Sequence, residues 1–234
     1  MCGRFVTPEI SEIERFWHIG RHNIRNPFAG LASARYNVAP QQGNPQNHIP
    51  VIRAEADGTL ELTDVQWWLL PVWSKEARVK FSTFNARVEG IATSASFREP
   101  FRKRRCLIPA KGWYEWQARP EGKQPWFFHA SDDSLLAFAG IWDRWARDGQ
   151  EIESCAIIVG DSDPAMHDVH NRAPFIIPRE SQAAWLNPNL SDSEDVKKLL
   201  ATASASEIVK HRVSRAVSNA RNQGPALIEP FVEP

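Results

Sequence analysis

The chain has 234 residues, of which 42% are hydrophobic and 24% charged, and its formal net charge is zero. This composition is typical of a soluble globular protein, and the length is sufficient for one sizeable core. No apolar run approaches the roughly 18 residues of a transmembrane helix, and the amino terminus lacks a secretory signal pattern. We therefore expect a cytoplasmic protein without a membrane partner. Because the overall charge is neutral, any nucleic-acid binding must come from a local basic patch.

The three cysteines are too far apart in the sequence to indicate a disulfide framework or a metal site. Cys2, Cys106 and Cys155 lack the short paired spacing of zinc ligands. Isolated cysteines are typical of a reducing compartment. We therefore predict neither a metal nor an organic cofactor.

The predicted elements begin with one helix and continue mainly as strands. Thr7, Pro8 and Glu9 form a helix-start pattern with Thr7 as the N-cap. Residues 20–48 are rich in Asn, Gln, Gly and Pro and predict loops around the short segment RYNVAP (35–40). Short apolar or aromatic runs bounded by turn residues then predict strands. These runs are VQWWLLPVW (65–73), RCLIPAKGWYEW (105–116), PWFFHA (125–130), LLAFAGIW (135–142), CAIIVG (155–160) and APFIIP (173–178).

The last third of the chain predicts two more helices and a final strand. The helices are ESQAAWL (180–186) and DSEDVKKLLATA (192–203), where Ser191 and Glu194 have capping-box spacing; the strand is EIVKHRVS (207–214). Strands do not alternate with long helices, so the sequence predicts a single α+β domain over residues 1–234. We expect a mainly antiparallel curled sheet or barrel-like β core, a few peripheral helices and a short flexible tail at the carboxyl end.

The opening stretch MCGRF places a cysteine directly after the initiator methionine. Removal of Met1 is favoured by the small size of cysteine, and it would leave Cys2 with a free α-amine and a thiol two carbons apart. The alternative is a frayed terminus that tolerates any residue.

Four further stretches carry groups that can do chemistry. FNARVE (84–89) places Asn85 and Arg87 on one face of an extended chain. GWYEW (112–116) surrounds Glu115 with aromatic residues, and desolvation there would raise the carboxyl pKa. VHNRAP (169–174) puts His170 and Arg172 at the mouth of a predicted strand. FRKRRC (101–106) is a dense basic run whose simplest interpretation is a solvated face. Taken singly, each is equally consistent with a structural role.

Together these stretches resemble the SRAP family, the SOS-response-associated peptidases that are also described as abasic-site-processing proteins. The resemblance covers nearly the whole chain in the family's order. It runs through MCGRF, RYNVAP (35–40), FNARVE (84–89), RCLIPAKGWYEW (105–116), AFAGIW (137–142), VHNRAP (169–174) and VSRAVSNARNQGPALI (213–228). It implies a compact domain that reacts covalently with an abasic site in single-stranded DNA. We expect the protein to act on DNA as a monomer, in the cytoplasm and at the nucleoid when bound. Protection of the adduct and loss of the adjoining base pair suit a junction between single and double strands.

The resemblance also implies roles for individual residues, all in the numbering of this sequence. The implied catalytic set is Cys2, Asn85, Glu115 and His170, and the implied DNA contacts are Arg4, Arg87 and Arg172 on phosphates and Pro40 and Trp116 on bases. The chain departs from the family pattern in two places. It has Asn171 where the family often has aspartate, with His167 as a second candidate histidine, and its segment 69–84, which contains Trp73, is longer than is typical.

The chemistry of an amino-terminal cysteine agrees with covalent capture of the abasic-site aldehyde. An α-amine with a pKa of about 7.7–8.0 is more available to an aldehyde near neutrality than lysine at about 10.4. Once an imine forms, the thiol of the same residue can close a five-membered thiazolidine, with an effective molarity on the order of 10⁵ M or more. Two alternatives stay open: a cysteine peptidase with Cys2 as nucleophile and His170 as base, acting on its own leader, and a non-covalent single-strand-binding module.

Overall fold

The computed structural model describes residues 2–20, 23–24, 33–44, 48–201 and 207–231. The predicted carboxyl-terminal tail, at residues 232–234, and Met1 lie outside these ranges. The strands within them are β1 (Phe5–Thr7), β2 (Arg35–Val38), β3 (His48–Ala54), β4 (Leu60–Trp67), β5 (Asn85–Arg87), β6 (Arg105–Ala110), β7 (Gly112–Arg119), β8 (Gly122–Ala130), β9 (Leu136–Arg147), β10 (Gln150–Asp161), β11 (Arg172–Pro174) and β12 (Ile208–Arg212). The α-helices are α1 (Ile10–Trp17), α2 (Arg98–Lys103), α3 (Gln182–Leu186) and α4 (Ser193–Ala201). No helix in these ranges has both the length and the apolar character needed to cross a membrane.

Five strands close into a barrel. The order β10-β4-β3-β6-β9 returns to its start because β9 also pairs with β10. The pairing of β10 with β4 is parallel, whereas β3, β6 and β9 pair antiparallel with their neighbours. Two short strands, β5 and β11, pair with the carboxyl-terminal part of β10. This confirms the predicted α+β class with a barrel-like β core.

A second, antiparallel sheet packs against the barrel, in the order β12-β8-β7-β1-β2. Aromatic rings join the two layers: Phe5 contacts Trp67 with 5.1 Å between ring centroids, and Trp113 contacts Phe138 at 5.9 Å. All four side chains are buried. Burial of a large apolar side chain stabilises a fold by about 1.5–3 kcal/mol, so this aromatic layer holds the sheets together.

Both predicted helix caps are wrong by one or two residues. Helix α1 is capped by Glu9, whose backbone N–H donates to Glu12 Oε2 at 2.8 Å. Thr7 is instead the last residue of β1, and its hydroxyl accepts a hydrogen bond from the Arg35 N–H at 3.1 Å. Helix α4 begins after Asp192, whose carboxylate accepts from the two N–H groups of residues 194 and 195, so Ser191 is not the cap.

The interpretation of FRKRRC as a solvated face is wrong for its fourth cation. Arg105 is only 4% exposed and begins β6. Its guanidinium donates to five backbone carbonyl oxygens, those of residues 101, 102, 185, 187 and 190. A guanidinium carries five N–H donors in a rigid fork, which suits it to gather the carbonyls where α2 and α3 end.

Two predicted strands are shorter than the apolar runs that predicted them. The strand in the run 65–73 ends at Trp67, and the strand in the run 173–178 ends at Pro174, after which Ile176 still forms an isolated antiparallel bridge with Phe138. Beyond Trp67 the chain turns at Pro71, where the Ser74 N–H donates to the Pro71 carbonyl at 2.9 Å. Leu69 and Leu70 are buried there without belonging to a strand, whereas Val72 and Trp73 are exposed.

Candidate active site

Cys2 lies in the core between the two sheets rather than at a frayed end. It is fully buried and belongs to the same apolar cluster as Phe5, Trp67 and Trp113. Because β1 pairs with both β2 and β7, the residues directly after Cys2 are fixed on two sides. Burial raises the pKa of the Cys2 thiol well above its ordinary value, and the nearby Glu115 carboxylate raises it further. The frayed-terminus alternative is therefore wrong.

Asn85 contacts the backbone of Cys2 directly. Its Nδ2 donates to the Cys2 carbonyl oxygen at 2.8 Å across 83 positions of sequence. Short strand β5 holds Asn85 opposite Ile157 in a parallel pairing with β10. Among the described residues, the buried Oδ1 of Asn85 has no hydrogen-bond partner. This acceptor is thus available to a group that enters the site.

Glu115 lies on β7, which crosses the second sheet beside β1. It is only 4% exposed, and burial raises the pKa of its carboxyl from 4.5 to about 7. The desolvation expected from the aromatic neighbours in the sequence is confirmed. At neutral pH this carboxyl is therefore divided between its acid and base forms, as general acid–base catalysis requires.

His170 faces Glu115. Its Nε2 lies 4.0 Å from Glu115 Oε2, and its Nδ1 accepts a hydrogen bond from the Arg172 N–H at 3.0 Å. Because Nδ1 is the acceptor, neutral His170 carries its proton on Nε2, directed toward the carboxyl. Burial lowers the pKa of the imidazole. His167, the second candidate, is exposed and its Nε2 bonds to the Ser162 carbonyl at 2.9 Å.

An open cleft of about 790 Å³ leads to this pair. Its walls include Arg4 and Trp116, with the guanidinium 5.9 Å from the centre of the indole ring. Arg4 Nη1 donates to Asn37 Oδ1 at 2.7 Å and to the Val217 carbonyl at 3.1 Å. Trp116 Nε1 donates to Ser218 Oγ at 3.0 Å. These hydrogen bonds fix the orientation of the Arg4 guanidinium and the Trp116 indole, and both side chains line the cleft.

Asn37 is a site-shaping residue that the sequence reasoning missed. Its Nδ2 donates to the carbonyls of Val217, Asn219 and Asn222. It thereby ties β2 to the late segment that forms one wall of the cleft. Both segments lay within stretches already quoted for the resemblance, RYNVAP and VSRAVSNARNQGPALI, but no spacing rule connects residues 180 positions apart.

The other predicted DNA contacts lie around the cleft rather than in it. Arg87 is exposed and shares a pocket of about 310 Å³ with Asn85. Arg172 forms ion pairs with Glu89 and, at 3.4 Å, with Asp161, and these carboxylates raise the pKa of its guanidinium. Pro40 is partly exposed two residues after β2. Within the described residues no cluster of His, Cys, Asp and Glu is arranged to hold a metal ion.

Comparison with known proteins agrees on one family. The family model described as "SOS response associated peptidase (SRAP)" matches residues 1–220. The abasic site processing protein YoqW of Bacillus subtilis is 32% identical over 232 residues, covering 98% of this chain and 99% of that protein. The abasic site processing protein YedK of Escherichia coli is 31% identical over 234 residues, covering 98% and 100%. A crystal structure of a Bacteroides thetaiotaomicron protein has the same fold, with a TM-score of 0.79 at 23% identity over 97% of this chain and all of that one.

Proposed function

The chain belongs to the SOS response associated peptidase (SRAP) family, and we propose that it processes abasic sites in single-stranded DNA by covalent capture at Cys2. Relatives matched over nearly their full length are named abasic site processing proteins. The observation that carries the proposal is the arrangement around Cys2. Asn85 holds its backbone at 2.8 Å, and a carboxyl with a pKa of about 7 stands beside its thiol.

The first step opens the abasic sugar to its aldehyde. Near neutrality the raised carboxyl pKa leaves part of Glu115 in its acid form, whereas burial lowers the imidazole pKa and favours neutral His170. The Glu115 acid donates its proton to the departing O4′ through one carboxyl oxygen and accepts the proton of the sugar's C1′ hydroxyl at the other, while the C1′–O4′ bond breaks. Neutral His170 donates a hydrogen bond from Nε2 to the departing O4′. Glu115 thus ends the step in its acid form, and the total charge is unchanged.

The second step condenses the α-amine with the aldehyde after Met1 has been removed. The neutral amine adds to the carbonyl to give a carbinolamine, and protonated Glu115 donates to the departing hydroxyl, which leaves as water. An iminium ion remains opposite a Glu115 carboxylate. The buried Oδ1 of Asn85 supplies an acceptor for the iminium N–H.

The third step closes the ring. The Glu115 carboxylate takes the proton of the Cys2 thiol, sulfur forms a bond to the iminium carbon, and the C=N electron pair returns to nitrogen. The product is a thiazolidine, and the only by-product of the sequence is one water. Although burial raises the thiol pKa, the attack is intramolecular and its base is close by, so a free thiolate in solution is not needed.

The flanking residues supply non-covalent affinity for the strand. Arg4, Arg87 and Arg172 would contact phosphates on either side of the lesion, and Trp116 and Pro40 would pack against bases. Arg172 would have to exchange an ion pair with Glu89 for a phosphate, which reduces its net contribution to binding. We further propose that the protein acts as a monomer and favours a junction between single and double strands.

Cys2→Ser and an intact-mass measurement test the proposal. The wild-type protein should lack Met1 and, after incubation with an abasic oligonucleotide, should gain the oligonucleotide mass less one water. Cys2→Ser should lose this stable adduct and keep its weak binding to DNA. Retention of Met1 in a protein that still forms the adduct would falsify the proposal.

The same variant separates the two alternatives. A non-covalent binding module predicts that Cys2→Ser changes nothing, and a peptidase predicts loss of cleavage of a Met-Cys-Gly leader. Cysteine peptidases use a thiol whose pKa is lowered by its surroundings. The raised pKa of Cys2 favours aldehyde capture over a peptidase.

A further inference from the structure

His170 lies near the end of the loop that joins β10 to β11, and we call residues 162–171 the His170 loop. Asp161 at the end of β10 pairs with Arg172 at the start of β11, so the two ends of the loop lie side by side. Ser162, the first residue of the loop, is only 6% exposed. Connecting segments are more mobile than the strands that they join, so a catalytic side chain on a loop needs contacts that hold it.

All the polar groups of Ser162 bond within the His170 loop. Its N–H donates to the Asn171 carbonyl at 3.1 Å, and its Oγ donates to the His170 carbonyl at 2.8 Å. Its own carbonyl oxygen accepts a hydrogen bond from His167 Nε2 at 2.9 Å. A serine carries one N–H, one C=O and one hydroxyl, so each of its hydrogen-bonding groups is engaged. Ser162 therefore joins the start of the loop to its middle and to its end.

The middle of the His170 loop has supports of its own. Met166 and Val169 are buried in the apolar cluster between the two sheets. On the other side, Gln117 Nε2 of β7 donates to the Asp168 carbonyl at 2.8 Å. Because these contacts hold the middle of the loop, the position of its catalytic end depends on a separate support.

We propose that Ser162 is a positioning residue for the capture of abasic sites, because its hydroxyl holds the backbone of His170 so that the imidazole Nε2 stays 4.0 Å from Glu115 Oε2. This inference rests on the proposed function, since it assigns Ser162 to the step in which His170 acts. Ser162 borders a separate cavity of about 230 Å³ rather than the open cleft. It therefore acts through His170 and not by contact with DNA.

Ser162→Ala tests the proposal, because it removes the hydroxyl and keeps the backbone groups of residue 162. The rate of adduct formation in timed gels should fall by about five- to a hundredfold, between the loss of one hydrogen bond and a displacement of about 1 Å. In a Cys2→Ser background, affinity for an intact single strand should change by less than about threefold, which is below the value of one hydrogen bond. Ser162→Thr keeps the hydroxyl, and the adjoining cavity has room for one more methyl group, so this variant should retain most of the rate.

A double-mutant cycle with His170→Ala separates positioning from a general structural role. If Ser162 acts through His170, Ser162→Ala should change the capture rate by less than about twofold once His170 is alanine. An equal loss of rate in both backgrounds would mean that the hydroxyl supports the fold alone, and it would overturn the inference.

Ser154→Ala is the matched control. Ser154 lies on β10 as well, is fully buried, and its Oγ accepts a hydrogen bond from the Leu70 N–H at 2.8 Å. This variant also loses one buried hydroxyl, so its stability to urea should fall as it does in Ser162→Ala. Its capture rate should stay at the wild-type value. Similar losses of rate in the two serine variants would also overturn the inference.

An NMR titration of the imidazole makes the result independent of capture. Burial lowers the pKa of His170 from its ordinary value of 6.5, and Ser162→Ala should raise it toward that value as the loop loosens. The charged side chains beside the imidazole, Glu115 and Arg172, are the same in both proteins. The signals are assigned by comparison with His170→Ala, and an unchanged titration curve in Ser162→Ala overturns the inference. If the wild-type protein forms no adduct with abasic DNA, the proposed function fails, whereas the role of Ser162 is still judged by this titration.

Discussion

Replacing Glu115 with glutamine should make the folded protein more stable above pH 7 and slow the capture of abasic DNA. The folded-state pKa of this carboxyl is about 7, raised by burial from an ordinary 4.5. A carboxyl whose pKa is raised binds more protons in the folded than in the unfolded state, so stability falls as pH rises from about 4.5 to about 7. A difference of about 2.5 pKa units corresponds to about 3 kcal/mol, at 1.36 kcal/mol for each unit.

Glutamine has nearly the same shape and carries no charge at any of these pH values, so it removes that cost. The variant and the wild type should therefore be equally stable near pH 4. The variant should gain up to about 3 kcal/mol at pH 8. Urea unfolding at a series of pH values measures this difference directly, and the difference should grow between pH 4.5 and 7 and then stay constant.

The same substitution removes the acid and base of all three proposed steps. General acid–base groups contribute about 10²- to 10⁴-fold, so the rate of adduct formation should fall by that order. In the wild type, the rate should rise with pH as the α-amine loses its proton, near 7.7–8.0, and fall as protonated Glu115 disappears. The alkaline fall should be absent in the variant. Timed gels of the adduct from pH 5.5 to 9 give both profiles.

Two results would refute this reasoning. A variant that is less stable than wild type at pH 8 would mean that the Glu115 carboxylate makes a net stabilising interaction in the folded state. A variant with unchanged capture and reversal rates, and with the wild-type pH profile, would remove Glu115 from the chemistry. His170, 4.0 Å away, would then be the remaining candidate for proton transfer.

Two further substitutions separate capture from binding. Asn85→Ala removes the hydrogen bond to the Cys2 carbonyl, so crosslinking on an abasic strand should fall by at least tenfold. Affinity for an intact strand should change less than threefold, within the roughly 1 kcal/mol value of one hydrogen bond. Equal losses in the two gel assays would make Asn85 a DNA contact instead. Arg87→Ala should weaken binding of intact and abasic single strands alike and reduce the slope of log Kd against log salt by about one, as expected for one phosphate contact. A titration in which only the abasic strand is affected would move Arg87 into the reaction itself.

The sequence predicted correctly those features of the structure that depend on residues close together along the chain. Aromatic neighbours of Glu115 predicted its desolvation, and the pKa of about 7 follows from that burial. The short apolar runs bounded by turn residues predicted several strands of the β core, but no run predicted the barrel strand β3 (His48–Ala54). The wrong prediction of a helix cap has the same explanation. Threonine is a common N-cap residue, but Thr7 ends β1, where its hydroxyl accepts a hydrogen bond from the Arg35 N–H.

The sequence alone therefore determined the fold class and the position of several core strands, and it supplied the candidate residues for the chemistry. Only the tertiary structure decided which of them meet. It brings Asn85 to Cys2 across 83 positions, turns His170 rather than His167 toward Glu115, and buries Arg105 among helix-end carbonyls. These contacts depend on barrel closure and on the parallel pairing of β5 with β10, which join distant segments. Periodicity and spacing describe only neighbours along the chain, so they carry no information about such long-range pairings.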